Sequence, residues 1–82
     1  MSKAVPTRYW FPCTRGFGIG VTAWSREEAE KMARETLAIY YRGSEMVGIV
    51  ENVDIRTLDQ KHVIPNMGPP SFVGVWYPRL NL

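Results

Sequence analysis

One stretch constrains this chain more than any other: "SREEAEKMARETLAIYYRG", residues 25–43. Ser25 is followed three positions later by Glu28, the pattern of a capping box that closes a helix N-terminus. Ala29, Met32, Ala33, Thr36, Leu37 and Tyr40 then recur at helical spacing and form one mostly apolar stripe. Glu27 with Lys31, and Glu30 with Arg34, stand as i,i+4 pairs in the favourable orientation. Gly43 occupies the place of a left-handed C-terminal cap. The spacing predicts a helix over about 26–42.

Everything around that helix reads as strand or loop. "RYWFPC" (8–13) is an aromatic-rich strand with Pro12 near its end, and "FGIGVTAW" (17–24) resumes after the turn "TRG", giving a β-hairpin. "MVGIV" (46–50) is a third strand, continuing toward Val53, and "SFVGVWY" (71–77) a fourth, stopped by Pro78. Between them, "RTLDQKHV" (56–63) holds at most one helical turn, and "IPNMGPP" is a loop by its three prolines and glycine. The loop reads as a connector along the sheet edge, with a rim to the aromatic face as its functional alternative.

With 82 residues the chain is one domain, 1–82, with residues 1–7 as a loosely ordered N-terminal tail. A hydrophobic content of 45% supports a folded core and argues against disorder. The expected fold class is α+β: a two-layer sandwich, β-β-α-β-β, with one helix packed on a mainly antiparallel four-stranded sheet. Short connections give the sheet order 2-1-3-4.

The glycines of "GFGIGV" (16–21) are the next question. Their spacing matches neither phosphate-loop pattern, four residues separate them from Ser25, and Glu27 and Glu28 in the first helical turn would repel a phosphate. As a strand, the segment instead turns Phe17, Ile19 and Val21 to one face, toward the helix, and Gly16, Gly18 and Gly20 to the other. Alternation in the flanking strands adds Trp10, Phe72 and Trp76 to the glycine face. With no helix to cover it, that face is expected to be an open aromatic surface, and such patches mark interfaces.

The functional expectation is therefore a small non-enzymatic interaction module. It binds a protein partner, or a second copy of itself as a homodimer, through Trp10, Gly16, Gly18, Gly20, Phe72 and Trp76. The alternative is a single-stranded nucleic acid or an acidic ligand, held by the aromatic face and by Arg8, Arg15 and Arg79. Charge distribution suits an acidic partner: residues 1–24 carry three cations and no acid, whereas 25–62 hold all eight acids against six cations.

Catalysis finds little support. Cys13 and His62 are the only cysteine and histidine, and they read as a small buried thiol and a solvated imidazole. Glu51, Asp54 and Asp59 could act as acid and base, but no spacing fixes them together. One histidine and scattered carboxylates give no metal-ligand pattern, and no cofactor is implied. No run approaches the roughly 20 apolar residues of a membrane span. A single cysteine, and no apolar stretch of signal-peptide length in the first residues, make a reducing, cytoplasmic setting the expectation.

Overall fold

A computed structural model describes residues 5–78. In chain order the elements are β1 (Thr7–Phe11), β2 (Ile19–Ala23), α1 (Arg26–Tyr40), β3 (Val50–Glu51) and β4 (Gly74–Tyr77). They form an α+β sandwich with α1 on one face of a four-stranded, wholly antiparallel sheet. No helix among the described residues is long and apolar enough to cross a membrane.

The helix begins where its cap dictates. Ser25 is extended, and its Oγ accepts from the Glu28 N–H at 3.1 Å, while Glu28 Oε1 accepts from the Trp24 N–H at 2.8 Å. Of the two expected ion pairs, Glu30–Arg34 forms at 3.7 Å, and Glu30 also takes Arg26 at 3.3 Å. Glu27 and Lys31 make no ion pair among the described residues. Helical geometry ends at Tyr40, with the Tyr41 N–H still donating to Leu37 O, and Gly43 adopts the expected left-handed conformation at φ 83°.

The helical stripe meets the sheet through Ala29 and Ala33, both fully buried. They pack with Tyr9, Phe11, Ile19, Val21 and Ala23, with Met32, Leu37, Tyr41, Ile49 and Val75 around the margin. Small residues at 29 and 33 let helix and sheet approach closely, so this layer is filled by strand side chains. Thr36 is buried too, its hydroxyl donating to Met32 O. Tyr40, expected in the stripe, is exposed, and Tyr41 packs in its stead.

The sheet order is β3-β1-β2-β4, which corrects the expected 2-1-3-4. The hairpin and the pairing of β1 with β3 are as expected, but β4 adds to β2 and not to β3. The cause is the connection after β3. Asn52, in the left-handed region at φ 55°, turns the chain off the sheet edge. Residues 53–70 then cross the face opposite α1 through two short 3-10 turns, Ile55–Thr57 and Ile64–Asn66. They deliver β4 to the far edge, where the Gly68 N–H donates to Trp76 O at 2.7 Å.

This crossing makes a second apolar layer of Trp10, Val53, Leu58, Val63, Trp76 and Tyr77, with Ile55, Ile64 and Met67 partly buried against it. Strands three and four are shorter than their apolar runs suggested. Met46 makes only an isolated bridge to Cys13, and Phe72 and Val73 lie in bends before β4 begins.

Candidate functional site

The expected open face is closed by the chain itself. Trp10 is 8% exposed and Trp76 2%, so neither is available to a partner. They stack at 5.9 Å, with the Tyr77 ring 5.7 Å from Trp10. Sequence alternation placed the two tryptophans on this face but Tyr77 on the other, because a register shift between β2 and β4 interrupts the alternation, and it did not foresee that Leu58 and Val63 cover them. Gly20 does lie under the Trp76 ring. Gly18, at φ 125°, lies where a side chain would meet Phe11 O and the Trp10 ring at 2.7 Å.

That positive φ also breaks the alternation before it. Gly16 packs on the other side, where a Cβ would sit 3.1 Å from the Tyr41 ring, so it is not part of the glycine floor. Phe17 is correspondingly no core residue: it is 42% exposed and stacks on His62 at 4.9 Å. Arg8 and Arg15 stand at opposite ends of the first strand region, and Arg79 lies outside the described residues. With Trp10 and Trp76 covered, neither tryptophan offers Arg8 and Arg15 a shared stacking platform.

The titratable groups are separately engaged. Cys13 Sγ donates to Phe11 O at 3.5 Å, and burial pushes its thiol above the ordinary value, with Ser44 pulling the other way. His62 Nδ1 lies 3.1 Å from Asp59 Oδ1, and no hydrogen bond joins it to Cys13 among the described residues. Asp59 also accepts the Lys61 and His62 N–H groups, which hold its carboxyl below the ordinary range. Asp54 takes Arg56 through two side-chain bonds at 3.1 and 2.9 Å, and Glu51 faces Arg26 at 3.9 Å. No group of three histidine, cysteine or carboxylate side chains among the described residues could hold a metal ion.

What the structure assembles instead is a site at one end of the sheet. Thr7 opposes Ala23, Arg8 opposes Thr22, and Thr22 opposes Gly74. The start of β1, the end of β2 and the start of β4 therefore converge. Trp24, one residue past β2, is 58% exposed, and Phe72, two residues before β4, is 70% exposed. Val5 and Val73, next to the same strand starts, are exposed as well.

A cavity of about 320 Å³ lies at this end of the sheet, with Val5 alone of these four residues in its wall. Arg8 and Thr22 line it from the sheet, Asn52 from the turn after β3, Pro70 and Ser71 from the end of the crossing segment, and Val5 and Pro6 from the N-terminal side. Thr22 Oγ1 donates to Pro70 O at 2.5 Å, and the Val53 N–H donates to Arg8 O at 3.2 Å. These two bonds fix both ends of the crossing segment to the cavity walls. Arg8 is exposed and forms no ion pair among the described residues, because nearby Asp54 is held by Arg56.

Of these residues, only Arg8 and Phe72 were singled out from sequence. Trp24 carried a local signal, a large aromatic directly ahead of the Ser25 cap; Thr22, Asn52 and Pro70 come together only through the crossing. Comparison of the chain with protein-family models, with curated proteins and with solved structures gives no match. A functional reading therefore has to come from the site.

Proposed function

We propose that this chain is a small, non-enzymatic interaction module that binds a protein partner at the sheet end formed by Val5, Trp24, Phe72 and Val73. One observation carries the reading: two large aromatics and two valines stand exposed near the ends of neighbouring strands, with Val5 also lining a cavity there, while the remaining tryptophans are buried. Exposed apolar groups gathered in this way favour an interface, and tryptophans desolvated at an interface dominate its energetics. The surface differs from the tryptophan pair favoured by the sequence, and the class of function is the same.

The test is selection of binding peptides from a displayed library against the folded domain, followed by titration of the winners. Trp24→Ala and Phe72→Ala should each weaken binding roughly tenfold or more, as for interface hot spots. Winners that bind both variants as tightly as the parent would put the interface elsewhere. Light scattering over a concentration series decides whether a second copy is the occupant: a dimer lost in Trp24→Ala would make it so.

A further inference from the structure

We propose that the cavity beside this rim receives a carboxylate side chain from the partner segment, with Arg8 as its counter-ion; this rests on the docking reading above. Two features of the cavity, its charge and its neutral donors, select that chemistry. Among the described residues its only charge is the Arg8 guanidinium, which forms no ion pair with them, in a chain whose first 24 residues contain no acid. A planar guanidinium matches a planar carboxylate with two parallel hydrogen bonds.

The neutral lining supplies further donors. Asn52 and Ser71 have side chains with no hydrogen bond inside the described chain, so their amide and hydroxyl protons can serve a ligand. Thr22 differs, because its proton is already given to Pro70 O. One positive charge with two neutral donors balances a monoanion. A phosphoryl group carries nearly two negative charges and is usually met by a cluster of cations, which the lining lacks among the described residues.

Size admits the same occupant. At about 320 Å³ the cavity is at the small end of ligand pockets and has ample room for one acidic side chain. Phe72 directly follows Ser71 in the wall, so a segment seating an acid here carries its neighbouring residue onto exposed aromatic surface. The expected partner motif is an aspartate or glutamate flanked by apolar residues.

The experiment titrates the ¹⁵N-labelled domain with capped acetyl-Leu-Glu-Leu-amide, its Leu-Gln-Leu twin, and acetate. Amide signals of Asn52 and Ser71 report the cavity, and the Trp24 indole N–H reports the rim. The glutamate peptide should move both sets, bind roughly tenfold or more tighter than the glutamine peptide, and lose that preference in Arg8→Gln while still moving Trp24. Equal affinities for the two peptides would overturn the carboxylate assignment and leave rim docking standing. Acetate binding as tightly as the peptide would make this a small-acid site and overturn the partner side chain as its source. No response of cavity or rim to either peptide would overturn both readings.

Discussion

The indole of Trp76 lies directly over Gly20, so that any side chain at position 20 would occupy the space of the ring. The bare face of one strand is thus filled by the large residue of its neighbour. A glycine that weakens a strand in isolation here creates the slot that a buried tryptophan needs.

Gly20→Ala should therefore destabilise the fold by about 1–3 kcal/mol, the usual range for overpacking a core. Trp76→Ala should cost about 3–5 kcal/mol by leaving a cavity. Urea unfolding of both single variants and the double checks the relationship. In the Trp76→Ala background the Gly20→Ala penalty should largely vanish, since the obstructing ring is gone.

Exposed and buried tryptophans separate site from core. Trp24→Ala should change stability by less than about 0.5 kcal/mol, as expected for an exposed position without a packing role. Trp10→Ala should lower it by several kilocalories, about 3–5 kcal/mol. If Trp24→Ala unfolds the domain, the residue is structural and any binding loss in that variant says nothing of a partner.

The crossing segment should be the first part of the molecule to open. Within residues 54–66 its hydrogen bonds are local turns, and its ties to the sheet lie at the ends: Val53 to Arg8, Gly68 to Trp76 and Pro70 to Thr22. Between those ties the cover is apolar packing by Leu58 and Val63. Hydrogen exchange should show amides of 57–66 exchanging well before those of β1 and β2. Leu58→Ala should cost about 2–3 kcal/mol and, in a Trp24→Phe background, make the remaining tryptophan fluorescence accessible to iodide.

Alkaline pH should destabilise the fold through Tyr41. Burial, reinforced by the nearby Tyr77 and Cys13, pushes its phenol from 10.0 up to about 12. The folded chain then keeps a proton that the unfolded chain releases, so stability holds up to about pH 10 and falls progressively toward about 12. Tyr41→Phe should flatten the pH dependence of unfolding across that window. An unchanged slope would assign the alkaline sensitivity to other groups.

The helix was readable almost to the residue, because Ser25, Glu28 and Gly43 act within one turn of themselves. Strand existence was readable from alternation, as was the shared face of Trp10, Gly18, Gly20 and Trp76. The sheet order and the site were not, and the reason is physical. Ile55, Leu58, Val63, Ile64 and Met67 cover a sheet through irregular backbone, with neither the two-residue nor the 3.6-residue period that marks a buried face. Asn52 likewise looks like any polar residue after a strand until its left-handed turn sends the chain across the sheet. Gly16 and Phe17 were misassigned because alternation assumes extended backbone, and Gly18 departs from it.

The bond from Gly68 to Trp76 has one more consequence. It occupies a carbonyl on the outer side of β4, while the opposite border of the sheet, β3, offers only two residues. A strand-rich chain with long free borders is open to ribbon-like stacking and fibril growth. Here backbone pairing between molecules has little to seize along the described borders, so the fold resists edge-to-edge growth without help from charged or proline-blocked strands.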